Sequence, residues 1–280
     1  MSGIARSTYY YRIKTESRRK EREIEDHRVR DLIDSVHVKF PAYGYRKLVR
    51  QLRRRGITIG VTRVRRIQSK YGLFAIKIRK FIRTTDSKHK LAVYPNLLRP
   101  PPELTGLNEV WTADITYVRI LAGFVFVAVI LDLCSRRVVG WAISKHIDEE
   151  LVVAALRMAI ERRKPDPGCI HHSDRGVQYA SRGYIELLEE WKFRVSMSRK
   201  GNPYDNAWTE SFMKILKYEE VYLCGYETYE DVVRRVPAFL EELYNKERIH
   251  SSIGYLTPEE FECEMIRKKP KPEPGPTLQI

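Results

Sequence analysis

The run Phe124-Val-Phe-Val-Ala-Val-Ile-Leu-Asp-Leu133 constrains the fold more than any other stretch of the chain. Asp132 is its one charged residue. The run is too short to span a bilayer and too apolar for a surface, so it predicts a central strand covered on both faces. Apolar, β-branched runs flank it at 110–118 and 138–144, across turns at Ala122-Gly123 and Ser135-Arg-Arg137. The three together predict antiparallel strands joined by short turns. Asp148 then caps a helix that has Glu149 and Glu150 in its first turn and Arg162-Arg-Lys164 at its end, charges that suit the helix macrodipole. A strand at 168–173 follows this crossover, so it should run parallel to an earlier strand. A helix at 183–191, a strand at 193–197 and a helix at about 205–217 complete the order. That order predicts an α/β fold, a ribonuclease-H-like mixed five-stranded sheet with helices.

Three acids stand out against this scaffold. Asp114 interrupts the first strand, where an unpaired carboxylate loses its charge or finds a cation. Asp174 ends the fourth strand at a glycine turn, in His171-His-Ser-Asp-Arg-Gly176. Glu210 opens a helix just after the breaker Gly201-Asn-Pro203, 36 positions beyond Asp174. Two strand carboxylates and one helix carboxylate can converge, and a hard divalent cation suits an all-oxygen site. Phosphodiester cleavage uses two such ions: Asp114 would bridge both, with Asp174 and Glu210 holding one each, and Mg²⁺ fits. Each acid also has a blander role, as a core Arg partner, a turn cap and a first-turn helix acid, but no such role covers all three. Asp132 reads as a turn cap or a partner of Arg136 or Arg137, and Asp205 as the cap of the Glu210 helix. Lys214 and Lys217 share the helical face of Glu210, to meet a phosphate or to form a Glu–Lys pair.

Charge divides the chain. Residues 1–100 hold 27 Lys and Arg against 8 Asp and Glu, or +19; the rest hold 24 against 28, or −4, giving the total of +15. A basic front joined to a near-neutral back predicts a nucleic-acid grip coupled to a working domain. Within the front, apolar spacing predicts helices at 21–36, 45–55 and 61–71, with Gly56 and Gly72 ending the last two. Arg63, Arg65, Arg66 and Lys70 line the outer face of the third, so an all-α helix-turn-helix domain is expected, with that helix entering a major groove. The domain plan is a basic, Tyr-rich segment at 1–20 whose Tyr9, Tyr10 and Tyr11 are expected to pack on a neighbour, with stacking on bases as the alternative, the helix-turn-helix domain at 21–80, and a linker at 81–105 with a Pro-rich spacer. A catalytic core at 106–225, a C-terminal helical extension at 226–265, bent or broken at Pro237, and a disordered tail at 266–280 follow. Cys134, Cys169, Cys224 and Cys263 lie far apart and read as free thiols; zinc at Cys169, His171 and His172 is disfavoured by spacing. With no 18-residue apolar stretch and no signal segment after Met1, a non-secreted, cytoplasmic protein without membrane contact is expected, nucleoid-associated when bound.

Taken together, Trp111-Thr-Ala-Asp-Ile-Thr-Tyr117, His172-Ser-Asp-Arg-Gly176 and Gly201-Asn-Pro-Tyr-Asp-Asn-Ala-Trp-Thr-Glu-Ser-Phe212 resemble the OrfB-type transposases of bacterial insertion sequences, which carry a retroviral-integrase-like core. Tyr43-Gly-Tyr-Arg46, Arg63-Val-Arg-Arg66 and the segment from Tyr244-Asn245 to Arg248-Ile-His250 extend the likeness over about residues 4–262. The resemblance implies a metal-dependent DNA polynucleotidyl transferase with Asp114, Asp174 and Glu210 as catalytic, metal-holding triad, using two Mg²⁺ ions, with Mn²⁺ as a substitute. It would cut double-stranded DNA at the element ends and join the 3′-OH to target DNA. Arg46, Arg175, Arg248 and His250 join Arg63, Arg65, Arg66, Lys70, Lys214 and Lys217 as expected DNA contacts. Expected partners are further copies of the chain on DNA and the upstream-frame OrfA protein, or a frameshift fusion with it. A hydrolytic nuclease on the same fold and a DNA-binding regulator with an idle core are the rival expectations.

Overall fold

A computed structural model describes residues 6–76, 92–199 and 207–268. The chain divides into two compact units, Met1–Arg79 and Lys80–Ile280.

The first unit is helical. α1 (Arg6–Lys39), α2 (Tyr45–Arg54) and α3 (Val61–Tyr71) bury Val29, Ile33, Val36, Leu48, Leu52, Val64 and Ile67. Gly72 ends α3 in the left-handed conformation at φ 70°, which a residue with a Cβ enters only at a cost. α1 starts fifteen residues before the expected Glu21, at Arg6. Arg, Lys and Glu between them are strong helix formers without an apolar period, so propensity carries the helix where patterning is silent. Tyr9, Tyr10 and Tyr11 are exposed rather than packed on a neighbour.

The second unit is built on one sheet in the order β3-β2-β1-β4-β5, from β1 (Val110–Ile120), β2 (Gly123–Asp132), β3 (Val138–Ser144), β4 (Ile170–Ser173) and β5 (Arg194–Met197). β1, β2 and β3 pair antiparallel, and β4 and β5 join β1 in parallel. This is the expected mixed five-stranded sheet. α4 (Glu149–Arg163) and α5 (Arg182–Glu190) cover one face with Leu151, Ala155, Leu156 and Leu188 against Ala113, Ala128 and Ile130. The Asp148 side chain accepts from Leu151 N–H at 3.0 Å and starts α4 as expected. Gly140 lets α4 lie against β3, since a Cβ there would strike the Ala155 carbonyl and Ala159.

α6 (Ala207–Leu216) and α8 (Tyr229–Ala238) cover the other face with Phe212, Leu216, Val232 and Val236 against Val125, Val127 and Val129. Between them lie a π turn at Lys217–Val221 and the short α7 (Tyr222–Cys224). Residues from 226 onward contribute Tyr226, Val232, Val236, Phe239, Leu240 and Tyr244 to the core on this face. α8 runs through Pro237 to Ala238, and the chain passes on into a wider π segment at Phe239–Glu247. α9 (Pro258–Lys268) closes the described chain.

The expected spacer is bound down: Leu98 is buried with Val110, Leu133 and Ile170, and Leu97 N–H donates to Ser196 Oγ at 2.9 Å. The basic run at 77–90, the Asp205 cap and the tail beyond 268 lie outside the described residues.

Candidate active site

β1 and β4 pair in parallel with Val110 opposite Ile170 and Thr112 opposite His172. Continuing that offset of sixty sets Asp174 beside Asp114, two residues past the last pair, where the strands part. β1 has β2 on its other side, so this is the crevice at the carboxyl ends of strands where an open sheet changes direction, the usual place for a ligand. Asp114, Thr116 and Val118 face α6, and Glu210 stands in the first turn of that helix. All three acids keep part of their surface in solvent.

Electrostatics ties them together. Burial of its surroundings, then the Asp174 and Glu210 charges, push the Asp114 carboxyl up to about 8, against a hydrogen bond from Ile115 N–H at 2.9 Å and the Lys217 ammonium. Asp114 is only partly exposed, so protein replaces much of the water around its charge. Asp174 Oδ1 accepts from Gly176 N–H at 2.9 Å, the turn-capping bond. Around the acids, the hydroxyls of Thr112, Thr116, Tyr179 and Thr209 are buried without a hydrogen-bond partner. Burial, then Tyr184, Asp114 and Asp174, raise the Tyr179 phenol well above its ordinary value. These are hard oxygen donors with net negative charge, the chemistry of a Mg²⁺ site. As placed, no three His, Cys, Asp or Glu side chains among the described residues are grouped to hold a metal ion.

Both histidines are tied into the core by hydrogen bonds. His171 Nε2 shares a 2.9 Å hydrogen bond with the Tyr184 hydroxyl, and burial pushes the imidazole down to about 3. His172 is held between Ser196 and Ser198 at 2.8 and 3.0 Å, and burial raises the Cys169 thiol.

Asp132 is a turn cap, as expected, but its cation is Arg163 rather than Arg136 or Arg137. It accepts from the N–H groups of Cys134, Ser135 and Asn108 at 2.9, 3.1 and 2.7 Å, with Arg163 at 3.7 Å. Glu262 of α9 reaches the same place and accepts from Ser135 Oγ, Arg137 and Arg163 at 2.8, 3.1 and 2.9 Å.

The expected DNA contacts divide. Arg46 and Arg65 are exposed, both guanidiniums lying over the Tyr45 ring at 5.4 and 5.3 Å. Arg63 and Arg66 instead converge on Asp26, 2% exposed, at 3.2 and 2.7 Å, holding α3 to α1. Burial alone would raise the Asp26 carboxyl, but Arg66 and Arg63 outweigh it and hold it low. Lys70 is exposed, 3.5 Å from Glu23. Arg175 donates to the Ser198 carbonyl at 2.8 Å. Lys214 is exposed, and Lys217 is half-buried with its ammonium 4.6 Å from the Tyr117 ring centroid. Arg248 and His250 are not surface contacts: Arg248, 4% exposed, forms a two-pronged ion pair with Glu219 at 2.7 and 2.8 Å, and His250 packs on Tyr244. Sequence reasoning missed Glu219 and Glu262 as buried partners, because the arginines they meet lie 29, 99 and 125 residues away in the chain.

Residues 105–203 and 192–258 match the family described as Integrase core domain, and residues 23–81 match the HTH-like domain. The chain is 36% identical to the insertion element IS600 uncharacterized 31 kDa protein of Shigella sonnei, over 92% of this chain and 95% of that one. It is 34% identical to the transposase for IS904 of Lactococcus lactis, over 86% and 94%. It is 40% identical to the transposase InsF for IS3A of Escherichia coli K12, over 79% and 76%. Among solved structures it is similar in fold to a chain of the simian T-cell lymphotropic virus intasome in complex with PP2A regulatory subunit B56 gamma, with a TM-score of 0.51 at 17% identity, over 89% of this chain and 80% of that one. Among the described residues no helix is long and apolar enough to cross a membrane.

Proposed function

The chain belongs to the insertion-sequence transposases with an integrase core, and from that premise we propose that Asp114, Asp174 and Glu210 are its catalytic carboxylates. It is a DNA-binding polynucleotidyl transferase. The observation that carries the assignment is the raised Asp114 carboxyl, placed by register beside Asp174 and within the field of Glu210. Such a charge is costly alone and favourable with a cation. Two Mg²⁺ ions, or Mn²⁺ in their place, would be held by Asp114, Asp174 and Glu210, and would supply Lewis-acid stabilisation of the phosphate and activation of the attacking oxygen. Tyr179, packed beneath, would steady the aspartates once a donor is called for. Lys217, at the start of the π turn after α6 and close enough to bear on Asp114, would hold the phosphate next to the scissile bond. Arg46, Arg65 and Lys70 on the first unit, with Arg175 and Lys214 on the second, are the proposed DNA contacts. The substrate is the pair of element ends followed by target DNA, handled by several copies of the chain, with the upstream-frame OrfA product or a fusion to it as a partner. We place the protein in the cytoplasm, on the nucleoid when bound.

Asp114→Asn, Asp174→Asn and Glu210→Gln should each lower cleavage of element-end DNA on the order of a thousandfold or more. Folding and DNA binding should persist. Near-normal cleavage by any one variant removes that residue from the site. Joining of the cut 3′-OH end to a second duplex, scored in the same reaction, separates transfer from plain hydrolysis.

A further inference from the structure

Beside the acids stands an aromatic cluster that their chemistry does not use. At the β1–β2 hairpin the Tyr117 and Phe124 rings meet edge to face, 5.4 Å apart, and Phe124 is 51% exposed. In the π turn and α7, Tyr218 and Tyr222 lie 5.8 Å apart, both partly exposed. Lys217, next to Tyr218 in the chain, sets its ammonium 4.6 Å from the Tyr117 ring centroid, so the two pairs are neighbours. The Lys217 ammonium lies over Tyr117 and also bears on Asp114, which makes the cluster continuous with the site. Beyond Thr112, β1 pairs with β2 alone, so no further strand covers this edge. Exposed cations rise nearby in the chain, Arg119 from β1 and Lys214 from the last turn of α6.

Partly exposed ring faces among cations form a surface that takes nucleobases by stacking while the backbone is held electrostatically. Only a base that has left its duplex stack offers such a face. A protein partner would favour apolar neighbours over cations. We propose that Tyr117, Phe124, Tyr218 and Tyr222 form a stacking platform for an unpaired base of the DNA strand adjoining the phosphate addressed by Asp114. The inference rests on the reading of Asp114, Asp174 and Glu210 as acting on DNA. Its mechanical sense is that opening the end lets the strand follow the crevice, and a captured base keeps it open.

The test uses the full chain and element-end duplexes carrying 2-aminopurine in turn at the nucleotides flanking the cut, whose fluorescence rises on unstacking from the duplex and changes on stacking with tyrosine. Wild type should shift that signal at one or two adjacent positions. Phe124→Ala with Tyr218→Ala and Tyr222→Leu should abolish the shift and slow cleavage of paired ends about tenfold. Speed should return on ends whose flanking nucleotides are already mispaired. Tyr218→Phe should behave as wild type, because stacking needs the ring and not the hydroxyl. If the triple variant fails to fold, the half-exposed Phe124→Ser alone carries the same readout. No shift in wild type, an unchanged shift in the variants, or equal loss on paired and mispaired ends overturns the platform. Asp114→Asn should keep the shift while losing cleavage; an Asp114→Asn protein that cleaves would sink the acid assignment and leave the platform standing.

Discussion

Asp114 and Asp132 lie on neighbouring strands of one sheet, opposite Val129 and Trp111, and their surroundings differ in kind. Asp132 receives three backbone N–H groups and faces Arg163; burial still raises its carboxyl, but every oxygen has a donor. Asp114 receives one N–H and faces two further acids. The first arrangement holds a turn in place. The second leaves a charge incomplete, and a site that must accept a cation has to be built that way. A buried carboxylate is thus assigned by its donors, not by its depth.

The largest effect should come from Asp132→Ala. It leaves Arg163 and three N–H groups short of a partner, so a loss of about 3–5 kcal/mol in unfolding free energy is expected by denaturant titration. The protein that remains folded should still cleave. A stable Asp132→Ala variant that has lost cleavage would reverse the two roles. Next is the pH dependence of metal binding. A proton competes for Asp114 below its value of about 8, so Mg²⁺ affinity measured calorimetrically should rise up to about tenfold per pH unit toward pH 8 and level off above. Asp132→Asn should leave that profile in place. The smallest effect is on stability without metal. Asp114 in the folded chain holds its proton more tightly than a free aspartate, so its contribution is whole below about pH 4 and is lost as pH rises through about 8. Asp114→Asn should therefore melt about 2–4 °C above the parent near pH 8 and level with it near pH 4. A melting point that falls at pH 8 would mean that Asp114 has a partner like that of Asp132.

Much of this was legible in the order of residues. The strand at 138–144, α3 between its glycines, the Asp148 cap and the three acids follow from patterns a few residues long. What escaped depends on contacts between distant segments. Asp132 was readable as a cap, but Arg163 as its cation was not, since Arg136 and Arg137 lie nearer in sequence. Arg248 reads as surface because it is charged; only Glu219, delivered by a π turn, makes its burial tolerable. The π turns have no local signature, and α1 before Glu21 has no apolar face to announce it. For the site, the sequence holds the residues but not the register that brings Asp174 beside Asp114.

Glu262 also sets the shortest piece of this protein that should fold unaided. The matched integrase core stops at residue 258, before most of α9. A chain trimmed there loses the carboxylate that neutralises Arg137 and Arg163 and accepts from the buried Ser135 hydroxyl. At the other end, removal of the residues before 105 strips Leu98 and Tyr94 from the core they pack against. A self-standing catalytic fragment should keep both Tyr94 and Lys268, and its ends are dictated by which buried groups would otherwise be orphaned.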